Sequence, residues 1–280
     1  DVGMLTNATG LNEKRLPDIL PFVNGYLQVS INAGTGSSYA KIHQTDERDW
    51  DLIWKNLENA VRIKDDLGID CDIGANMTIL VKNVSMEGGE KVPANWRPGD
   101  SSEIEALIKR AKDTGLNYVS FKPYSQHPYS TATMKLYGDM TYKDMMDEIV
   151  DTGTQLTQKY SSNSFETIFR FSRFSEYEDP ERGYSTCRAT PTIWGYIQSD
   201  GVLISCSAHW TNPEFHLGNI NTQTFKEIWY GQRRRQHLDF VLNHLDISIC
   251  RKTCHPDKEN QFFNQIVGMG DNEFSQELVR

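Results

Sequence analysis

The chain is predicted to be an α/β protein with a parallel sheet, followed by a small α+β domain. Strand-like and helix-like segments alternate along the first 175 residues, and this alternation is typical of a parallel sheet. Two apolar runs then flank a glycine-containing turn near residue 200, which predicts a β-hairpin. Four of the five cysteines fall between positions 187 and 254. At 280 residues, the chain is long enough for two lobes.

The first part of the predicted sheet contains strands over residues 26–32 and 72–81. A helix is predicted between them, because apolar residues recur at helical spacing up to Leu67 and Gly68 can cap its end. The apolar positions of this helix are Trp50, Ile53, Trp54, Leu57 and Val61.

A second predicted helix begins at residues 102–105, which read Ser-Glu-Ile-Glu and match a capping box. Its predicted buried face consists of Ile104, Leu107, Ile108 and Ala111. A strand over 117–123 follows.

The last elements of this part are a helix over 141–159 and a strand from Phe165 to Phe174. The inward residues of the helix are predicted to be Met145, Met146, Ile149 and Leu156. The connections 84–101 and 124–140 are longer than ordinary loops, which favours functional loops.

The cysteines carry the clearest chemical signal. Cys187 is followed by thirteen residues, Gly201, four residues and Cys206, so the second cysteine ends the predicted hairpin. Cys250 and Cys254 form a second pair near the C-terminus. Four thiolates can saturate a four-iron cluster or close a tetrahedral zinc site, and the spacing leaves both open.

Cys71 stands apart from these four, and we expect it to be a small buried apolar residue. An odd number of cysteines in a chain of this length argues against a secreted disulfide scaffold.

The stretch from Cys187 to Cys254 resembles the C-terminal auxiliary-cluster (SPASM or shorter twitch) domain of radical S-adenosylmethionine (SAM) enzymes. The resemblance rests on the hairpin spacing, on residues 217–220 followed by 225–230, and on the paired-cysteine ending. The longer form carries seven cysteines for two auxiliary clusters, whereas this region has four. The resemblance therefore implies one auxiliary [4Fe–4S] cluster ligated by Cys187, Cys206, Cys250 and Cys254.

Upstream residues resemble part of a radical SAM (β/α)6-type barrel, from about its third strand onward. Residues 2–9 resemble the third strand and residues 27–34 the fourth, where Asn32 and Ala33 replace the usual Asp and Gly. His43 lies near the position of an arginine that approaches the SAM carboxylate in many members. The resemblance implies a partial barrel over 1–175, an auxiliary-cluster domain over 176–265 and a tail over 266–280.

The resemblance also implies where the ligands bind. SAM is expected to contact Ser30, Asn32, His43, Asn76 and Lys122. Tyr124, Arg170 and Arg173 are candidates for substrate contact by position alone. No catalytic residue is identified.

The implied activity is hydrogen-atom abstraction by a 5′-deoxyadenosyl radical, with the auxiliary cluster accepting an electron from the substrate radical. The substrate is expected to be a small polar molecule or a peptide. The implied reductant is a protein of the flavodoxin or ferredoxin type.

Composition narrows the class of protein. Hydrophobic residues make up 38% and charged residues 24% of the chain, which favours a globular, cytoplasmic protein rather than a disordered or membrane protein. The net charge of −9 argues against nucleic-acid binding. The basic run Arg233–Arg235 is predicted to be a solvated helix face.

An alternative of a different class is a non-catalytic binding module stabilised by zinc or by an iron–sulfur cluster. The colour of the anaerobically purified protein separates the metals, since an iron–sulfur protein is brown and a zinc protein is colourless. The substrate and the oligomeric state stay open.

We predict that this chain alone does not cleave SAM. The sequence has no C-x3-C-x2-C motif for the SAM-binding cluster, because Asp257 stands where Cys250 and Cys254 need a third cysteine. Gly88, Gly89 and Glu90 imitate another family motif but read as a surface turn. The test is 5′-deoxyadenosine formation after dithionite reduction. Cluster-dependent formation that is lost in Cys254→Ala would contradict the prediction.

Overall fold

The structure is a computed structural model that describes residues 1–80, 84–85, 91–92, 94–97, 99–124, 133–134, 142–175, 182–251 and 254–268. The described residues up to Ser175 belong to one compact unit, and those from Arg182 onward belong to a second. Residues 269–280 of the predicted tail lie outside the described residues. The predicted surface turn at residues 88–90 also lies outside them.

The first unit is built on a five-stranded parallel sheet. Its strands are β1 (Met4–Thr6), β2 (Tyr26–Ser30), β3 (Asp72–Ile79), β6 (Tyr118–Pro123) and β8 (Glu166–Phe169), and they lie side by side in that order. The short strands β4 (Val84–Ser85), β5 (Lys91–Val92) and β7 (Thr133–Met134) form a separate antiparallel sheet. The predicted α/β class is confirmed, and β1 lies at one edge of the sheet.

Helices connect the parallel strands. They are α1 (Leu16–Ile19), α2 (Gly36–His43), α3 (Arg48–Leu67), α4 (Ser102–Asp113) and α5 (Tyr142–Tyr160), and α6 (Phe171–Ser175) follows the last strand, β8. Because parallel crossovers are right-handed, strands that succeed one another in one direction place their crossover helices on one face of the sheet. This arrangement is a singly wound sheet of the barrel-forming type.

The predicted buried faces of the long helices are confirmed. Helix α3 ends at Gly68, whose φ of 63° is the left-handed conformation expected of a glycine cap. The buried residues of α4 and α5 include Ile104, Leu107, Ile108, Ala111, Met146, Ile149 and Leu156. The side chain of Met145 lies outside the described part of the structure. Cys71 is 2% exposed, as expected of a small apolar residue.

The predicted strand from Phe165 to Phe174 is wrong in its second half. Strand β8 stops at Phe169, and helix α6 begins at Phe171. The Arg170 amide donates to the Phe121 carbonyl, and the rings of Phe169 and Phe171 stack at 5.7 Å. Aromatic residues at 169 and 171 favour a strand in the sequence, but their rings also stack when the chain changes from strand to helix between them.

The predicted capping box at residues 102–105 is also wrong. The Ser102 hydroxyl donates to Asp100, and the Ser101 cap makes no side-chain bond to the helix. The Glu103 carboxylate instead accepts hydrogen bonds from the Gly34 amide and the Ser38 hydroxyl, both at 2.6 Å. A Cβ on Gly34 would lie 2.1 Å from the Glu103 carbonyl oxygen, so only glycine permits this approach.

The described part of the second unit contains a three-stranded antiparallel sheet and four α-helices. These are α7 (Ala189–Ile193), β9 (Tyr196–Ile197), β10 (Val202–Ile204), β11 (His216–Asn219), α8 (Phe225–Trp229), α9 (Gln232–Asn243) and α10 (Asp257–Gly268). The predicted hairpin is confirmed as β9 and β10, with Gly201 at a φ of 85° in its turn. Strand β11 pairs with the other side of β10 and was not predicted.

The basic run on α9 is not a solvated face. Arg233 donates to the carbonyls of His216 and Pro213, at 3.0 and 2.8 Å. The Arg234 guanidinium stacks on Trp229 at 4.1 Å. Arg235 alone of the three is exposed. Two of the arginines therefore attach the helix to neighbouring backbone and aromatic surface.

None of the described helices is long and apolar enough to cross a membrane.

We predict that Glu103→Ala lowers the free energy of unfolding by about 2–3 kcal/mol, because it removes hydrogen bonds to a charged acceptor. Glu58→Ala is the matched control, since its carboxylate is 52% exposed and pairs with Arg110 at 3.1 Å. An exposed pair of this kind contributes at most about 1 kcal/mol. Urea unfolding measures both variants, and equal losses would contradict the structural role of Glu103.

Candidate metal centre

The four paired cysteines come from separate elements of the second unit. Cys187 lies just before α7, and Cys206 lies two residues after β10. Cys250 closes the 3₁₀ turn Ile247–Ile249, and Cys254 precedes α10. All four are free thiols; Cys187 is buried and the other three are half-buried. The fold therefore presents four sulfurs that are shielded from solvent and not used in disulfides.

The thiols lie near enough to influence one another electrostatically. Burial is the main cause that raises the pKa of Cys250 to about 11, and the charges of Cys206 and Cys187 raise it further. Burial likewise raises the pKa of Cys254 to about 12, with contributions from the other three cysteines. The pKa of Cys206 is raised by burial and by Cys187. The four thiols thus form one coupled group.

Two arginines lie near the thiols, and their positive charges stabilise the thiolate forms. Arg182 lowers the pKa of Cys250, and its guanidinium donates a hydrogen bond to the Cys250 carbonyl. Arg251 lowers the pKa values of Cys206 and Cys254. The Nε atoms of Arg251 and Arg188 are buried and have no hydrogen-bond partner among the described residues. Cations next to four thiolates suit a centre whose net charge is negative.

Two buried side chains approach the sulfurs and were missed as site residues. The Asn260 amide nitrogen lies 3.5 Å from Cys187 Sγ, and His209 Nε2 lies 3.6 Å from Cys250 Sγ. Neither was identified from the sequence. Only the spacing of His209 after Cys206 could have suggested its position, and that signal is weak in a single sequence.

The donor set fits a multinuclear cluster. Within the described ranges, no group of three or more His, Cys, Asp or Glu side chains could hold a single metal ion. A zinc site needs four ligands converging on one ion, each sulfur about 2.3 Å away. A four-iron cluster gives each cysteine its own iron, so its sulfurs are spread apart. The four free cysteines supply one thiolate for each iron of such a cluster.

The parallel sheet carries a second candidate site on one of its faces. Ser30 pairs with Asn76, Asn76 pairs with Ser120, and Thr78 pairs with Lys122, so these side chains share a face. Asn76 is 2% exposed and donates to the Ser120 hydroxyl at 3.0 Å. Three of the residues expected to bind SAM, Ser30, Asn76 and Lys122, therefore lie on one polar surface.

This polar face includes residues that sequence reasoning missed. The Tyr118 hydroxyl donates to the buried Gln28 side chain at 3.3 Å. Burial, with lesser contributions from nearby charges, raises the pKa of Tyr118 to about 12, which keeps the phenol neutral. Gly74 lies beside Tyr118, and a Cβ there would meet the phenol ring at 2.3 Å. The sequence pattern that could have identified Gln28 and Tyr118 is the recurrence of polar residues at every second position of β2, β3 and β6.

Asn32 and His43 are engaged with backbone near the end of β2. Asn32 has a φ of 58°, and its side-chain oxygen accepts from the Thr78 amide at 2.8 Å. His43 Nε2 donates to the Ile31 carbonyl at 2.9 Å, and its ring stacks on Tyr39. Burial lowers the pKa of His43, so it does not supply the positive charge of an arginine. Their role in SAM binding stays a prediction.

The candidate substrate residues follow the adjacent strands β6 and β8. Tyr124 is half-buried, and burial raises the pKa of its phenol. Arg170 is exposed, and Arg173 is half-buried in the next helical turn. The structure brings these residues to one end of neighbouring strands, and their contact with substrate stays a prediction.

We predict that the metal-free folded chain alkylates slowly at Cys250 and Cys254. The thiolate is the reactive form, so a pKa raised from 9.0 to about 11 lowers its fraction at pH 8 by about 100-fold. Iodoacetamide labelling followed by peptide mass spectrometry measures both sites, with the unfolded chain as the reference. Labelling of the folded chain should keep accelerating above pH 9. A plateau near pH 9 would contradict the raised pKa values.

Comparison with known proteins places the cysteine centre in a family. Residues 187–255 match the SPASM family, described as an iron-sulfur cluster-binding domain. The cysteine-type anaerobic sulfatase-maturating enzyme of Clostridium novyi (strain NT) is 23% identical over 254 residues, which cover 80% of this chain and 62% of that protein. The matched SPASM region begins at Cys187 and contains all four cysteines of the coupled group.

Solved structures show the same fold. Streptococcus suis SuiB has a TM-score of 0.52 at 14% identity, over 82% of this chain and 49% of SuiB. Its S-adenosylmethionine-bound structure has a TM-score of 0.52 at 15% identity. The chain thus spans about half the length of SuiB and less than two thirds of the sulfatase-maturating relative. The SPASM match, the curated relative and the shared fold together support a likeness of this chain to radical SAM proteins that carry a SPASM-type iron–sulfur domain.

Proposed function

We propose that this chain belongs to a radical SAM enzyme that oxidatively modifies its substrate, with one auxiliary [4Fe–4S] cluster held by Cys187, Cys206, Cys250 and Cys254. The observation that carries the proposal is the electrostatically coupled group of four thiols inside the matched SPASM region. Four cysteines saturate the four irons and leave none open for a substrate. Electron transfer is therefore the role that suits this centre.

Bound SAM would supply a 5′-deoxyadenosyl radical that takes a hydrogen atom from the substrate, and the cluster held by the four cysteines would accept the second electron as a proton leaves to a nearby base. The chain's own residues prepare the electron acceptor. Partial burial of the thiols limits the access of water to the sulfurs, and Arg182 and Arg251 offset part of their negative charge. A flavodoxin- or ferredoxin-type protein is proposed as the reductant.

SAM is proposed to bind on the polar face of the parallel sheet. Ser30, Asn76 and Lys122 lie on that face, and Asn32 and His43 lie at the adjoining end of β2. The buried amides and hydroxyls there can hydrogen-bond a polar ligand without adding charge. The fold shared with SuiB supports this position.

A polypeptide is the substrate class that we favour over a small polar molecule. The curated relative is named as an anaerobic sulfatase-maturating enzyme, and maturation acts on a protein. Tyr124, Arg170 and Arg173, which follow the strands, are the proposed substrate contacts. Incubation of the proposed enzyme, with its SAM-binding cluster motif present, with SAM, reductant and candidate peptides tests the class by the loss of two hydrogens in mass spectrometry.

We expect anaerobic reconstitution with iron and sulfide to give about four irons and four sulfides per chain, because one cluster uses four cysteines. Cys187→Ala, Cys206→Ala, Cys250→Ala and Cys254→Ala should each lower iron binding. Cys71→Ala is the matched control, since Cys71 is buried in the other unit and should leave iron content unchanged.

The measurements are iron and sulfide analysis, visible absorption and electron paramagnetic resonance (EPR) of the dithionite-reduced chain. A colourless wild-type chain that binds one zinc and takes up no iron would overturn the proposal. Iron binding that is unaffected by all four substitutions would do the same.

A further inference from the structure

Asn260 is a buried amide with a defined orientation. It is 1% exposed and lies on α10, outside the matched SPASM region. Its side-chain oxygen accepts hydrogen bonds from the Arg188 and Ala189 amides, at 2.6 and 2.9 Å. Since the oxygen is the acceptor for two backbone donors, the nitrogen must be the group that points to Cys187 Sγ, 3.5 Å away. Asn260 therefore aims an N–H donor at one sulfur.

His209 makes a similar approach to a second sulfur. It is 1% exposed, and its ring stacks on Phe215 at a centroid distance of 4.3 Å and an angle of 8°. Its Nε2 lies 3.6 Å from Cys250 Sγ. A sulfur bound to iron is a thiolate without a proton, so a hydrogen bond in this pair must be donated by the imidazole. The stacked ring holds that donor in place.

Given the proposed function, we propose that Asn260 and His209 are positioning residues that donate hydrogen bonds to the sulfurs of Cys187 and Cys250 and raise the reduction potential of the auxiliary cluster. Reduction adds one negative charge to the centre, and part of it resides on the sulfurs. An N–H donor stabilises the more negative form, which is one of the ways by which proteins set iron–sulfur potentials. A higher potential makes the centre a better acceptor of the substrate's electron.

The decisive pair of variants is Asn260→Asp and Asn264→Asp in the full chain. Both make the same substitution on the same helix, and Asn264 is exposed and donates to the Gly183 carbonyl at 3.0 Å. Asn260→Asp keeps an oxygen for the Arg188 and Ala189 amides but replaces the N–H donor. Titrations are run at pH 9, about five units above the ordinary aspartate pKa, to ionise the new carboxyl.

We expect the reduced-to-oxidised ratio of Asn260→Asp, at a fixed potential, to be lower than that of Asn264→Asp by at least about tenfold, equivalent to about 59 mV for one electron. EPR-monitored redox titration measures this ratio, and iron content should be equal in the two variants. Equal midpoint potentials would overturn the proposal. Loss of iron confined to Asn260→Asp would also overturn it, since the amide would then hold the cluster rather than set its potential.

A second pair tests the donor independently of any new charge. His209→Phe keeps an aromatic ring for Phe215 and removes the donor, whereas His209→Gln restores an N–H near the Nε2 position. The potential should fall in His209→Phe and recover toward the wild-type value in His209→Gln. Pulsed EPR in D2O should show exchangeable deuterons coupled to the wild-type cluster and fewer in both Asn260→Asp and His209→Phe. Equal potentials and equal deuteron couplings in all these proteins would overturn the proposal.

The outcomes separate this inference from the proposed function. A wild-type chain that assembles no cluster removes the proposed function and this inference with it. A wild-type chain that assembles the cluster, with potentials insensitive to both pairs of variants, removes this inference alone.

Discussion

The second unit depends on the pairing of one buried amide, because Asn260 connects the segments that carry Cys187 and Cys254. Its oxygen accepts from the Arg188 and Ala189 amides, directly after Cys187. A second bond, from the Tyr184 hydroxyl to Asp257 at 2.6 Å, attaches the residues before Cys187 to the same helix. Since a buried polar group is costly when unpaired, α10 packs in the position that satisfies these bonds. These polar contacts connect the Cys187 segment with α10, while Cys187, Cys206 and Cys250 pack in a small apolar cluster with Phe215, Val241 and Ile247.

His237 performs the corresponding task beside Cys206. Its Nδ1 donates to the Glu214 carbonyl at 2.8 Å, which leaves Nε2 to accept from the Ser205 hydroxyl at 2.6 Å. Burial lowers the pKa of His237 to about 4, although its hydrogen bond to the Glu214 carbonyl acts in the opposite direction. The ring is therefore neutral in the folded unit. The unfolded chain binds the proton first as pH falls below about 6.5, so this contribution to stability is lost between about pH 6.5 and 4.

Local patterns predicted the architecture well because they depend on neighbouring residues. The 3.6-residue spacing located the buried faces of α3 and α4, and Gly201 located the hairpin turn. The errors arose where a distant partner prevailed over a local pattern. Glu103 bonds Gly34 across 69 positions instead of capping its own helix. Arg233 likewise bonds the backbone of an unpredicted strand rather than solvent.

The residues of the candidate metal centre show the same contrast between local patterns and distant partners. The cysteines were evident from residue type and spacing, whereas Asn260 and His209 carry no local mark because their significance is their distance from a sulfur. A matched domain boundary does not reveal Asn260 either, since it lies beyond residue 255.

The environment of the sulfurs argues for a centre that changes its charge. A structural zinc site has no redox chemistry, so its ligand environment needs to satisfy only one charge state. Here Arg182 and Arg251 offset negative charge, and Asn260 and His209 approach individual sulfurs with polar nitrogen atoms. Such groups stabilise added negative charge more strongly than they stabilise the oxidised form. The polar sheet face differs, because its buried groups Gln28, Asn76 and Ser120 are neutral and suit a ligand that binds and leaves. The surroundings of the thiols therefore differ from those of the sheet face: cations and N–H groups lie near the sulfurs, and neutral amides and hydroxyls are buried on the sheet.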